Sequence, residues 1–274
     1  MTELELEEAE EAQMTFLEHL DELRTRLIRS IYPLLPAFIV AWIFRDELLG
    51  ELSQPLLQAC RARGIEVPRL HGLHPLDGFM VRIKVALVVA IIGSSPWLFY
   101  QLWAFISPGL YGREKRVVIP FVFASSICFA SGAFFGWFIV FPPVFEALLE
   151  FYGALPGGMT LEPTFTASDY TSFITRMLLI FGVVFEVPVV ITTLAVAGMV
   201  NWRQLLSFGR WWVVVAAVLS ALLTPQDVIS MLMMMGPLVV LYYLSVVLAY
   251  MFGERPPPPE VASPDEDDES DEPA

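Results

Sequence analysis

The sequence predicts an all-α, polytopic integral membrane protein with six transmembrane helices and both the amino and carboxyl termini in the cytoplasm. Three observations predict it. The chain has 274 residues, of which 56% are hydrophobic, and a mean hydropathy of +0.62. The apolar residues fall in long blocks, which soluble domains of this size do not show. The formal charge of -14 belongs to the ends: residues 1–12 carry six Glu and no base, and residues 253–274 carry nine acids against Arg255. Those ends contribute -6 and -8, so residues 13–252 are net neutral and no basic partner or nucleic acid is implied.

Three regions follow: an acidic amino-terminal tail over 1–13, a membrane domain over 14–253 and a Pro-rich acidic tail over 254–274. The first dozen residues are acidic where a signal peptide has a basic n-region, so the amino terminus is expected to be retained. Pro256 to Pro259 suit a stiff polyproline spacer, and the DEDDESDE run beyond it cannot bury apolar surface, which predicts disorder. Before the first span, Phe16, Leu20, Leu23 and Leu27 recur at helical spacing, predicting an amphipathic helix on the membrane surface. Thr15 and Glu18 have capping-box spacing at its start. Glu22 can pair with Arg26 on the polar face for about 0.2–0.5 kcal/mol, or it can offer its carboxylate at the membrane face.

A spanning helix needs about 20 apolar residues, and six stretches qualify: Leu27–Phe44, Met80–Leu102, Val117–Phe145, Tyr170–Met199, Trp211–Leu223 and Val228–Phe252. With the amino terminus inside, the inner segments hold nine bases, Arg24, Arg26, Arg29, Arg113, Lys115, Arg116, Arg203, Arg210 and Arg255. The outer segments hold at most six, Arg45, Arg61, Arg63, Arg69, Arg82 and Lys84, and this bias sets the orientation. The stretch SPGLYGREKR, Ser107 to Arg116, then reads as a short cytoplasmic loop in which Glu114 stands among three bases. Trp103, Phe105 and Tyr111 supply an aromatic surface beside it. A carboxylate next to such a surface suits an arginine-bearing, partly apolar peptide.

In the third span Gly132 and Gly136 form a GxxxG, with Ser125, Ser126 and Ser131 near, and close helix packing accounts for them. In the fourth, Glu186 lies near the middle, where a charged acid costs roughly 2.5–3.5 kcal/mol and is a functional candidate by default. Pro188 leaves the Val184 carbonyl without its helical donor, so polar atoms gather at that depth. Arg176, about 15 Å away along the helix, cannot pair with Glu186 and snorkels outward beside Asp169. The fifth span counts only 14 residues to Thr224, about 21 Å of helix, which predicts a hairpin that stops short or thins the bilayer. Cys60 and Cys128 suggest neither a disulfide framework nor a metal site.

MTFLEHLDELRTRL, WAFISPGLYGREKR, GWFIVFP, FGVVFEVPV and LLTPQDV occur in that order, and the chain from about Met14 to Gly253 resembles TatC through them. TatC proteins are the polytopic receptor subunits of the twin-arginine translocase, which exports folded proteins using the proton-motive force. The resemblance implies that the amino-terminal helix and first cytoplasmic loop hold a twin-arginine signal peptide, with Glu114 and Phe105 in that site and Glu22 and Arg24 nearby. It implies that Glu186 is the acid of the concave membrane face and that Thr224, Pro225 and Asp227 form the outer hairpin. Implied partners are the single-span TatA and TatB subunits, further copies in a multi-copy complex, and membrane lipid, with no cofactor. Met231 stands where many relatives carry Gln, which bears on the docking of those subunits. A folded 100-residue cargo has a radius of gyration of about 13 Å, and six helices about 10 Å wide cannot enclose it alone.

The alternative is a proton-coupled small-solute transporter using Glu186, whose hallmark would be inverted repeats with paired broken helices. The sequence shows no such symmetry. A membrane enzyme would need a nucleophile and base or a metal-spaced His pair. His71 and His74 sit together in an outer loop with no third ligand, so no catalytic or metal-binding residue is assigned.

Overall fold

The structure, a computed structural model, describes residues 18–65, 69–111, 118–154, 156–223 and 228–253. The acidic tails, Thr15 and Phe16, the loop residues Arg113, Glu114, Lys115 and Arg116, and the hairpin residues Thr224, Pro225 and Asp227 lie outside the described residues. Six helices are long and apolar enough to cross a membrane: Glu18–Ile43, Asp77–Ile106, Ile119–Leu149, Ala167–Val196, Trp202–Leu222 and Met231–Phe252. They agree with the six expected spans in number and order, and their ends differ for identifiable reasons.

The first is two helices, α1 over residues 18–31 and α2, Leu34–Ile43. The expected boundary at Leu27 is not a break. The helix runs four residues further and turns at Tyr32–Pro33, where proline removes a backbone donor. Short helices α3 (Arg45–Leu52) and α4 (Gln54–Ala62) follow. Helix α5, Asp77–Tyr111, is 35 residues long and carries the helix through Ser107–Tyr111. The first half of the expected loop is therefore helical, because Pro108 removes only one donor from a ladder that both flanks continue.

The third span joins α6 (Val118–Phe135) and α7 (Phe141–Leu149) through a π-turn, Gly136–Val140. Pro142 and Pro143 follow the turn. Neither can donate to the preceding helix, and a wider ring absorbs the defect. The fourth is α8 (Ala167–Phe185) and α9 (Val187–Val196), jointed at Glu186 with Pro188 in the first turn of α9. The fifth, α10, is Trp202–Leu223, 22 residues, about 33 Å. The expected short hairpin is thus corrected. Asn201 Oδ1 accepts from the Arg203 N–H at 3.2 Å and Gln204 Oε1 from the Asn201 N–H at 3.0 Å, a reciprocal cap that starts the helix nine residues before the apolar run. The last, α11, is Val228–Phe252.

Helices α5, α6 and α8 pack on one another, α11 packs on α9 and α10, and α2 leans on α5. Their core includes Phe141, Ile174, Phe181 and Met234, all fully buried. The glycines fix the α6–α8 distance. A Cβ on Gly132 would strike the Phe181 carbonyl and lie 2.8 Å from Phe185 Cγ, one on Gly136 would lie 2.7 Å from Phe181 Cδ2, and one on Gly182 would lie 2.7 Å from Phe129 Cε2. At the end where α5 and α8 begin, β1 (Leu70–His71) pairs in parallel with β4 (Phe165–Thr166), and β2 (Gly153–Ala154) pairs antiparallel with β3 (Thr160–Leu161). This is the β end of the bundle. The opposite end carries α1 and the carboxyl-terminal half of α5.

Candidate functional site

Helix α1 lies against the last turns of α5. The His19 and Phe105 rings stack at 4.4 Å between centroids and 17° between planes, and the Trp97 indole donates to the Arg29 carbonyl at 3.0 Å. Between the helices runs a cleft of about 180 Å3 whose walls include Leu23, Arg26, Ser30, Gln101, Leu102 and Phe105. Glu22 is tied to the cleft through Arg26, one of its walls. Arg26 donates to Glu22 Oε1 from Nε at 2.8 Å and from Nη2 at 2.6 Å, so the local pairing read from the sequence forms. The Glu22 side chain keeps 37% of its surface exposed, and a guanidinium arriving from solvent can compete for its oxygens. Arg24 is exposed beside it. Leu20, Leu23 and Leu27 are 44%, 42% and 62% exposed, so the apolar stripe of α1 is not buried inside the chain and is free to face lipid or a ligand.

The second cluster lies across α5. Trp103, expected as part of an exposed aromatic surface, is only 6% exposed. Its indole donates to Ser125 Oγ at 2.9 Å, and Ser125 is in turn the hydrogen-bond partner of the Glu186 carboxyl. Ser125 was expected to serve helix packing, but its fully buried hydroxyl also links α5, α6 and the α8–α9 joint. Among the described residues, Glu186 Oε1 has no hydrogen-bond partner. It borders a cavity of about 180 Å3 lined by apolar side chains including Phe99, Leu102, Trp103, Ile106 and Val190. Leu102 belongs to both hollows, so one turn of α5 forms the wall between the Glu22 cleft and the Glu186 cavity. A larger cleft, about 730 Å3, lies at the β end with Arg63, Arg69, His71, Tyr152 and Glu162 around it. It shares no residue with either hollow.

The profile of the TatC family, Sec-independent protein translocase protein (TatC), matches residues 18–237. The chain belongs to the TatC family. Its relatives include the TatC protein of Koribacter versatilis, 34% identical over 196 residues that cover 70% of each chain. The TatC protein of Aquifex aeolicus is 37% identical over 200 residues, 73% of this chain and 80% of that one. The TatC protein of Halothiobacillus neapolitanus is 38% identical over 72% of this chain, a match that spans only 51% of that longer protein. A crystal structure of the twin-arginine translocase receptor TatC in DDM superposes with a TM-score of 0.73 at 35% identity, covering 84% of this chain and 99% of that one. A second crystal structure of that receptor gives 0.72 at 36% identity, covering 85% and 99%. TatC proteins are components of a Sec-independent protein translocase, and this chain, with its six apolar helices, is a multi-pass membrane protein of that family.

The structure brings Phe105 to the helix that bears Glu22 and Arg24, and seats Glu186 one α5 face away. Glu114, Thr224, Pro225 and Asp227 are outside the described residues. His19, Gln101 and Ser125 were missed as site residues. His19 stands three residues before Glu22 on the motif helix, a signal that helical spacing could have found. Ser125 had no such signal, because its partners come from other helices.

Proposed function

We propose that this chain is the receptor subunit of a twin-arginine translocase, binding twin-arginine signal peptides at the α1 end of the bundle. The observation that carries the reading is the cleft between α1 and α5. Its walls join the Phe105 ring to apolar side chains and to Arg26, whose partner Glu22 is a half-exposed carboxylate. A twin-arginine signal is a pair of guanidinium groups followed by apolar residues. Guanidinium pairs with carboxylate in bidentate geometry, and the apolar part matches the exposed stripe of α1. Glu114, in the adjoining segment, supplies a second carboxylate, Arg24 belongs to the same peptide site, and the bases around Glu114, Arg113, Lys115 and Arg116, contact the anionic leaflet or hold the segment in place. In this reading the α1 end and both termini face the cytoplasm.

Glu186 gives the membrane face a polar atom for an inserted signal or partner helix. Single-span TatA and TatB subunits, together with further copies of this chain, complete the passage for folded cargo, and the proton-motive force drives transport. The test is retention of the purified protein on an immobilised twin-arginine signal peptide and on its twin-lysine counterpart. Retention by the first and not the second is expected, because a lysine ammonium cannot make the forked contact. Equal retention on both would overturn the assignment.

A further inference from the structure

We propose that Lys84 and Arg176 form a site for the phosphate of an anionic phospholipid, in the leaflet at the β end of the bundle. Helices α5 and α8 both start at that end, and Lys84 and Arg176 stand about 10 Å and 13 Å along them. The Lys84 ammonium donates to Ser172 Oγ at 2.7 Å. The Ser172 hydroxyl donates in turn to the Ser168 carbonyl at 2.6 Å, and Lys84 keeps two further donors. Ser172 and Arg176 are four residues apart on one face of α8, so the guanidinium stems about 6 Å from the residue that anchors the ammonium.

Among the described residues neither cation is in a contact ion pair, and the one acid that feels Lys84, Asp77, does so through its longer-range field. Among the described residues the ion pairs of Arg and Lys are Arg26 with Glu22, Arg45 and Arg82 with Asp46, and Arg63 with Glu150. The hydrogen bonds of the acids at the heads of the two helices go to other groups. Asp77 Oδ2 accepts the Leu73 and His74 N–H groups at 2.8 and 2.9 Å, and Asp169 accepts the Thr166 hydroxyl. Arg176 is exposed on the outer surface of the bundle.

Depth selects the occupant. The spans that carry these residues, Asp77–Ile106 and Ala167–Val196, have 30 residues each, about 45 Å of helix against a hydrocarbon core of about 30 Å. Centred in the bilayer, they hold both cations a few ångströms inside the core boundary, within the reach of snorkelling side chains. The anion abundant at that boundary is the lipid phosphate. Deeper on the same faces, Leu87 is 40% and Val183 62% exposed, one turn beyond Lys84 and two beyond Arg176. They give an acyl chain an apolar track beneath its headgroup.

The experiment is native mass spectrometry of the full chain, released from detergent after titration with phosphatidylglycerol or phosphatidylcholine. The parent should retain one phosphatidylglycerol in preference to phosphatidylcholine. The double variant K84Q/R176Q should retain it about tenfold to thirtyfold less, from about fivefold per cation. R176Q alone should lose about fivefold; its exposed side chain makes no contact that folding needs, so it serves even where K84Q unfolds. R82Q, whose arginine already pairs with Asp46 at 2.7 Å, should behave as the parent. Unchanged phosphatidylglycerol retention in R176Q would overturn the proposal, as would displacement of the lipid by inorganic phosphate, which marks a free-anion site. The measurement does not depend on which face of the membrane the β end occupies.

Discussion

At the scale of single residues, the two carboxylates assigned to the peptide differ from the one inside the membrane in what their removal should do. Glu22→Ala breaks a partly exposed i,i+4 pair with Arg26, so folding stability should change by no more than about 0.5 kcal/mol. Loss of a charge-assisted contact to a guanidinium costs about 1.5–3 kcal/mol, roughly tenfold to more than a hundredfold in affinity. Crosslinking yield to an arginine-bearing signal peptide should fall in that range for Glu114→Ala, and by less for Glu22→Ala, whose oxygens are already shared with Arg26. Wild-type crosslinking by Glu114→Ala would remove that residue from the site. At Glu186 the receptor reading requires hydrogen-bonding capacity rather than charge. Gln keeps an oxygen for the Ser125 hydroxyl and a polar atom towards the cavity, whereas Ala leaves the buried Ser125–Trp103 pair without its third member. Export of a folded twin-arginine reporter should therefore survive Glu186→Gln and fall in Glu186→Ala. Equal loss in both, with proton flux through the purified parent that Gln abolishes, would favour the transporter reading. The positions of Glu22 on the first helix and of Glu186 inside the fourth span were legible in the sequence, because an acid next to, or within, an apolar run is conspicuous. The burial of Trp103 was not, because it depends on a hydroxyl 22 positions away on another helix.

At the scale of elements, the glycine seam between α6 and α8 carries the tightest prediction. A methyl on Gly132 would collide with backbone on α8 rather than with a movable side-chain tip. Gly132→Ala should lower stability by about 1–3 kcal/mol, as overpacking does, read as a lower midpoint of thermal unfolding in detergent. A midpoint equal to the parent's would mean that the helices sit further apart than described. The GxxxG spacing announced this contact, and the six apolar runs announced the spans. The ends were less legible. Hydropathy registers what lipid tolerates, whereas a helix continues wherever its backbone ladder is unbroken. So α10 extends back over polar residues to its Asn201 cap, and α5 runs on through Pro108.

At the scale of the whole molecule, the proposed orientation predicts which surfaces meet an impermeant thiol reagent. With Cys128 replaced, a cysteine at position 158 should be labelled in intact cells and one at position 112 should not; the reverse pattern would invert the topology. Native Cys60 should stay silent, since it is fully buried and burial pushes its thiol up from the ordinary range.

The turn at Tyr32–Pro33 gives the bundle a mechanical property. Helix α1 is a rod about 21 Å long, hinged at one end, within a span whose apolar window is only 6% buried. A swing of about 10° at the hinge displaces the far tip by about 4 Å, comparable to the 4.4 Å that separates the stacked rings of His19 and Phe105. A small angular change at the proline therefore suffices to part the rings and widen the mouth of the cleft, while α2 stays seated on α5.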